Sequence, residues 1–495
     1  MQATVVTATL VGVEAVPVEV QADVSNGLPS FSIVGLGDAA VLEARERVRS
    51  AIRASGLDFP RGRVTVNLAP APLRKRGTGF DLPIATALLA ATRQIPPDAI
   101  AGVAVVGELG LDGSVRPVDG MLAHALAARE RGLGLLGPAA GASGVVGLEG
   151  MTYRAVSRLA SLRLGEFEAV VPVRAPPSAP GASDVDFSEV AGHFTAKRAL
   201  EIAAAGGHNV LLIGPPGSGK TMLARRLGSI LPPLTEDERL ATALVHSVAG
   251  LDPRAALAGI RPFRAPHHSC SVAGLAGGGS PPRPGEVSLA HNGVLFLDEF
   301  AEFSPAALQT LRQPMEDGSL TLVRAESRVS YPARFTLVAA MNPCPCGFAG
   351  DTERHCTCPA PVIARYQARI GGPLMDRLDI SAQVDRVDPD SLLDAKRTAE
   401  GSAEIRRRVL AARGIAVRRR GLPNARVTGR ALLKDCALDD RARRYLTDAA
   451  RTFHLSGRGV TRLLTVGRTI ADLEAAPVVT AEHLAEASGY RAWEC

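Results

Sequence analysis

The run Val210-Leu-Leu-Ile-Gly-Pro-Pro-Gly-Ser-Gly-Lys-Thr221 carries the residue types that grip a phosphate chain. Gly214, Gly219, Lys220 and Thr221 fit G-x-x-x-x-G-K-[ST], so Gly214, Pro215, Pro216, Gly217, Ser218, Gly219, Lys220 and Thr221 form the expected nucleotide cradle. An apolar run precedes the loop, and Leu223, Ala224 and Leu227 follow at helical spacing, which sets it between a strand and a helix. Backbone N–H groups in such a loop converge on phosphate, and the helix N-terminus adds positive potential. Lys220 is expected to reach the outer phosphates and Thr221 to ligate Mg²⁺. A second run, Gly293-Val-Leu-Phe-Leu-Asp-Glu-Phe300, is an apolar strand ending in two acids. Asp298 is the expected Mg²⁺ holder, and Glu299 the base that orients and deprotonates an attacking water. Phe335 to Asn342 is a third buried strand, ending in a polar amide. The three runs together imply binding and hydrolysis of ATP.

A different chemistry is written in the cysteines. Cys344-Pro-Cys346 and Cys356-Thr-Cys358 place four thiols within fifteen residues, with His355 beside them as a substitute ligand. Four thiolates can close a tetrahedral Zn²⁺ site. The spacing is C-x-C and not the usual C-x₂-C, so free thiols stand as the alternative reading. His267 and His268 are adjacent but have no carboxylate cluster near them in sequence. They read as loop geometry or polyanion contact more readily than as a metal site.

The chain of 495 residues has room for two to four domains, and 46% hydrophobic residues can fill ordinary cores. Aromatic residues make up 4%, which excludes stacking platforms as the main means of holding nucleic acid. No apolar run reaches the roughly 18 residues of a membrane helix. The start, Met1-Gln-Ala-Thr-Val-Val6, has no basic stretch ahead of an apolar core. A cytoplasmic protein without a membrane partner is expected, and its seven cysteines are then thiols or ligands and not disulfides. Residues 391–495 hold 20 Lys and Arg against 12 Asp and Glu, whereas the rest of the chain holds 36 against 38. The net charge of +6 is therefore concentrated at the end. Polyanion contact and a solvated helical face both account for that.

Four segments follow from the order of elements. Residues 1–170 read as an α/β domain. Val5-Val6 and Val16–Val20 form an antiparallel pair, and Leu28–Asp38 is a strand leading into a helix over 39–55. Further strands are expected at Arg63–Leu68 and Ala101–Leu109, and helices at Phe80–Ala91 and Met121–Arg131. Residues 171–183 are a Pro/Ser/Gly linker. The phosphate-binding core spans 184–390, and a basic helical region spans 391–495. Within the core, Gly274–Gly279 reads as a flexible tip. Ser319–Tyr331 alternates like a hairpin with its turn at Ala325-Glu326.

Gly107–Gly120 and Lys75–Leu82 are similar to the segments around the catalytic lysine and serine of the Lon-type protease fold. Gly79 falls at the serine position and Leu122 at the lysine position, which leaves neither nucleophile nor base. Asp186-Phe-Ser-Glu-Val-Ala-Gly192 resembles the adenine-pocket lead-in of AAA+ ATPases. Phe263-Arg-Ala-Pro-His-His-Ser269, the glycine-rich stretch after it and Pro284-Gly-Glu through Asp298-Glu299 resemble the ComM/YifB family of Mg-chelatase-like AAA+ ATPases. The resemblance implies an α/β fold with a Lon-like N-terminal domain lacking its dyad, a P-loop core on a parallel sheet, and a helical lid. It implies that Asn342 is the sensor-1 residue placing the water. Arg377, in Gly372–Asp379, would be an arginine finger reaching a neighbour's γ-phosphate; a local pair with Asp376 or Asp379 is the alternative. Arg458 would be the nucleotide-facing arginine of a lid closing on ATP, with Arg462 second. Arg324 and Arg328, on a pre-sensor-1 hairpin facing a central pore, become DNA-phosphate contacts, against the alternative of an ordinary exposed hairpin. The implied protein is a hexameric ring ATPase moving on single-stranded or branched DNA, as in branch migration. The alternatives are a chelatase-type or chaperone-type motor that remodels a protein.

Overall fold

The computed structural model describes residues 1–145, 148–170, 185–324, 327–351, 353–387 and 400–491. The linker expected at 171–183 and the boundary at 390 lie outside the described residues, as does the hairpin turn at Ala325-Glu326. The N-terminal part is a seven-stranded mixed sheet. Its strands run in the order Ser30–Val34, Arg63–Ala69, Glu14–Ser25, Gln2–Val11, Val103–Val105, Gly134–Pro138 and Tyr153–Val156. Val18, Val20, Val64, Val66 and Leu68 alternate into a core closed by the helices Ala39–Ala54 and Asp81–Ala91. Asp38 starts the first of these helices by accepting from the Val41 amide. The single strand expected over Ala101–Leu109 is broken. Val103–Val105 stays in the large sheet, while Glu108-Leu109 turns away to pair with Val115-Arg116.

The middle of the chain is built on five parallel strands in the order Phe263-Arg264, Val294–Leu297, Thr336–Met341, Val210–Ile213 and Ile380–Gln383. Both faces of this sheet are covered, so its strands are continuous apolar runs and not alternating ones. Among the described residues the C-terminal part has five longer helices, Ser402–Arg420, Gly429–Cys436, Asp440–Thr452, Gly457–Leu473 and Ala481–Gly489. The first packs against Phe194–Gly206 and Lys220–Ile230, sharing one core with the sheet. Ser402 fastens this joint: its amide donates to Asp186, and its hydroxyl accepts from the Phe187 amide and bonds Ser229.

Several arginines of this helical part are tied into the structure. Arg408 pairs with Glu201 and Glu400, Arg413 donates to the carbonyls of Ala204 and Ala205, Arg419 pairs with Asp472, and Arg420 with Asp435.

The N-terminal part docks on the core through the helix Met121–Glu130. Leu122 is 1% exposed and packs with Leu126, Leu234, Ala243 and Ala256. The amides of Gly120 and Leu122 donate to the carbonyl and hydroxyl of Ser247. At Gly79 a Cβ would meet only Val106 and Val118 at ordinary contact distance. Of the two nearby hydroxyls, Thr78 donates to Glu108 and Ser114 to Asp112.

Leu122→Ala should therefore cost about 2–3 kcal/mol, and Leu122→Lys more, because it sets a cation among Leu126, Leu234, Ala243 and Ala256. Urea denaturation followed by the signals of both halves checks this. A Leu122→Lys chain as stable as the parent would contradict the dock.

Candidate nucleotide-hydrolysis site

The carboxyl ends of three adjacent strands bring the phosphate-handling residues together. Val210–Ile213 leads into the loop Gly214–Gly219, which hands over to the helix Lys220–Ile230. Gly214 is demanded by packing: a Cβ there would lie 2.1 Å from the Val384 carbonyl oxygen. Lys220 lies inside the loop, its Nζ 2.8 Å from the carbonyls of Gly214 and Pro215 and 3.2 Å from Oδ1 of Asn342. Burial lowers the Lys220 pKa to about 8 against the opposing pull of Asp298. An ammonium held on neutral carbonyls in this way gains from an arriving phosphate. Ser218 Oγ is buried with no hydrogen-bond partner among the described residues, a vacant donor inside the cradle.

Thr221 Oγ1 donates to Asp298 Oδ2 at 2.6 Å. A hard cation would take these two oxygens as ligands, so the pair fits Mg²⁺. Glu299 follows at φ 51°, in the left-handed region, which turns its side chain out of the strand end. Its Oε2 lies 2.7 Å from Nδ1 of His268. Lys220, Thr221, Asp298, Glu299 and Asn342 thus converge, as the sequence spacing leads one to expect. Two neighbours were not legible in the sequence. His193 lies against the loop, its Nε2 3.5 Å from where a Cβ on Gly219 would sit, and burial lowers its pKa. His268 reaches Glu299 from the loop after the neighbouring strand Phe263-Arg264. For both, the available signal was a histidine next to a strand-end or lead-in motif.

Arg377 and Arg458 sit elsewhere. Both line a cavity of about 400 Å³ with Asn209, Gly293 and Thr336, which stand at the amino ends of the same strands. Arg377 pairs with Glu316, not with Asp376 or Asp379, and Arg458 reaches the same carboxylate at 2.7 Å. Four-residue strands span about 13 Å, so neither guanidinium faces its own phosphate loop. The expectation of a lid arginine closing on its own nucleotide is corrected for Arg458. It is corrected for Arg462 too, which is buried on the Leu378 and Met375 carbonyls. The Gly457–Leu473 helix docks at the amino ends of the strands and carries both residues there.

The sulfurs of Cys344, Cys346, Cys356 and Cys358 all lie within 4.8 Å of one another, an arrangement able to hold a metal ion. Separations of 3.3 Å for Cys344–Cys346 and 3.6 Å for Cys344–Cys356 and Cys346–Cys356 approach the about 3.8 Å edge of a tetrahedral zinc–thiolate cage. Amides of Ala349 and Cys358 point at sulfurs, and backbone amides of Phe348 and Thr357 draw the Cys346 thiol down to about 6. His355 is exposed and outside the group. The knot touches the cradle directly: at Gly347, φ 88°, a Cβ would come within 2.5 Å of Pro216.

The glycine-rich insert is less loose than its composition suggests. Val272–Ala276 is a helix capped by Ser271, with Leu275 fully buried, and Gly277-Gly278 pairs with Arg283-Pro284. That corrects the flexible tip. The hairpin Ser319–Arg324 with Ser327–Pro332 forms in register, and Arg328 is exposed on it. The side chain of Arg324 lies outside the described residues. No described helix is long and apolar enough to cross a membrane.

Comparison with known proteins agrees with this architecture. The family described as magnesium chelatase, subunit ChlI, matches residues 186–392. Its companions, subunit ChlI of Mg-chelatase and the ChlI C-terminal region, match 20–140 and 399–491. YifB of Salmonella typhimurium is 43% identical over 489 residues, covering 98% of this chain and 96% of its own length. YifB of Escherichia coli is 41% identical over 488 residues, with the same coverage. Competence protein ComM of Haemophilus influenzae is 42% identical over 489 residues, 97% of this chain and 96% of its own.

Cys356→Ser removes one of four ligands and loosens the knot behind Pro216. It should lower both bound metal, read by elemental analysis, and nucleotide affinity, read by titration, the latter on the order of tenfold. Undiminished nucleotide affinity would separate knot from cradle.

Proposed function

The chain belongs to the ComM/YifB family of magnesium-chelatase-type AAA+ ATPases, and from that premise we propose a ring-forming motor that couples ATP hydrolysis to movement on DNA. Its work in this reading is branch migration or strand separation during natural transformation and recombination. The observation that carries the ring is the division of the site. Lys220, Thr221, Asp298, Glu299 and Asn342 gather at one end of the sheet, while Arg377 and Arg458 gather at the other. A transition state that needs a guanidinium on the γ-phosphate must then receive it from a neighbouring subunit.

In that arrangement the loop amides and Lys220 hold the phosphate chain, and Thr221 and Asp298 hold Mg²⁺. Mg²⁺ held by Thr221 and Asp298 would neutralise charge on the phosphates. Asn342 fixes the geometry around Lys220, and Glu299 takes the proton from the attacking water. Arg377 and Arg458 of the next subunit, both on Glu316 in the isolated chain, swing onto the phosphate. We assign the four-cysteine knot to structural zinc, and the elemental analysis above should return that metal.

DNA as the polymer is supported by the name of the Haemophilus relative and by the exposed Arg328 on a hairpin beside the insert. ATPase rates measured with no polymer, single-stranded DNA, a four-way junction and an unfolded protein test it. At low salt DNA should stimulate, because phosphate binding is strongest there. Stimulation by unfolded protein alone would favour a protein-remodelling motor instead.

The trans geometry predicts a second result. Lys220→Ala and Arg377→Ala subunits should each be inactive alone, and mixing them should restore a fraction of the ATPase rate. A mixture as inactive as its components would reject the shared site.

A further inference from the structure

Asn209 stands immediately before the strand Val210–Ile213 that feeds the phosphate loop, and the hydrolysis reading gives it no task. Its side chain bonds in two directions. Nδ2 donates to the Arg377 carbonyl at 3.0 Å, and Oδ1 accepts from the Leu337 amide at 2.8 Å. Its amide donates to Asp379 Oδ2 at 3.0 Å, and its carbonyl accepts from the amides of Asp379 and Ile380. One residue thereby ties together the segment that carries Arg377, the strand that ends before Asn342 and the strand that opens the cradle.

The lid holds the same segment from its other side. Arg462 Nη1 donates to the carbonyls of Leu378 at 2.6 Å and Met375 at 3.3 Å. His208, fully buried, also reaches the lid, its Nε2 2.8 Å from Thr469 Oγ1 on the helix Gly457–Leu473. The guanidinium of Arg377, by contrast, rests on exposed Glu316 and can change partners. The main chain behind that guanidinium is thus fixed to the sheet while its tip is not. Asn209 carries no charge and lies a strand's length, about 13 Å, from its own phosphate loop. Its leverage falls where Arg377 meets a phosphate, and a misplacement of about 1 Å there costs on the order of 10²-fold in rate.

We propose that Asn209 is a positioning residue that sets Arg377 for the nucleotide of the neighbouring subunit, acting through the bond from Nδ2 to the Arg377 carbonyl. The inference rests on the reading of the site as shared between subunits. It adds a mechanical link that this reading lacks. Through Asn209 and the strand Val210–Ile213, each subunit's own cradle is joined directly to the arginine that the subunit offers outward.

Full-length Asn209→Asp and Asn209→Ala proteins, assayed for ATP turnover alone and in subunit mixtures, test this. Asn209→Asp keeps the size and the oxygen that accepts from Leu337, and sets an oxygen against the Arg377 carbonyl where a donor stood. Each variant alone should lose kcat by roughly tenfold or more and keep the parent's KM for ATP. Mixed with Lys220→Ala, whose Arg377 is intact, either should recover towards the rate of the Lys220→Ala and Arg377→Ala mixture. Mixed with Arg377→Ala it should stay low, because neither subunit then presents the guanidinium correctly. Recovery with Arg377→Ala, or with neither partner, is the pattern of a residue that only braces its own cradle or its own fold, and would overturn the positioning role. So would an Asn209→Asp enzyme with the parent's kcat. An inactive mixture of Lys220→Ala and Arg377→Ala would instead overturn the shared site itself, so the two failures are told apart.

Discussion

A parallel sheet has two different ends, and the rest of this molecule is arranged around that fact. Strand C-termini expose loops that can converge on a ligand, and here three of them deliver the phosphate cradle, the acid pair and Asn342. The opposite end receives the lid helix Gly457–Leu473 and with it Arg458, beside Arg377. In the proposed reading, hydrolysis chemistry split across one rigid slab is completed by a second slab set against the first.

Within the cradle the strongest local demand is a buried ammonium with no acid in direct contact. Lys220 is held by carbonyls and an amide oxygen, and its lowered pKa records the cost of that burial. The four-cysteine knot begins two residues after that amide and presses Gly347 on Pro216, so one stiff unit fixes both the lysine's acceptor and the loop's outer wall. The Asp186–Ser402 joint does the same from the lid side, tying the nucleotide lead-in to the first lid helix. The site is braced on two sides before any ligand enters.

Much of this was legible because it is local. Strand, glycine loop and helix lie within twenty residues, the acid pair ends its own strand, and the cysteine spacing announces itself. What stayed hidden depends on distant parts of the chain. Arg458 reads as a lid arginine over ATP until the docking face of its helix is known. Glycines around Gly274–Gly279 suggest looseness, but Leu275 buries itself and the segment folds into helix and hairpin. The strand expected over Ala101–Leu109 breaks at Gly107, where a Cβ would crowd Leu82 at 3.1 Å. The His268–Glu299 contact joins residues with no shared period, and no sequence pattern points to it.

The inward commitment of some lid arginines changes which of the positive charges face solvent, and leaves the net charge as it is. Arg408, Arg419 and Arg420 neutralise acids of the same chain, and Arg413 is spent on carbonyls. Such groups hold few condensed counterions to give up and displace few from a polyanion. Salt sensitivity towards a charged polymer would then reside in arginines outside these pairs, such as exposed Arg328, and not in the paired ones.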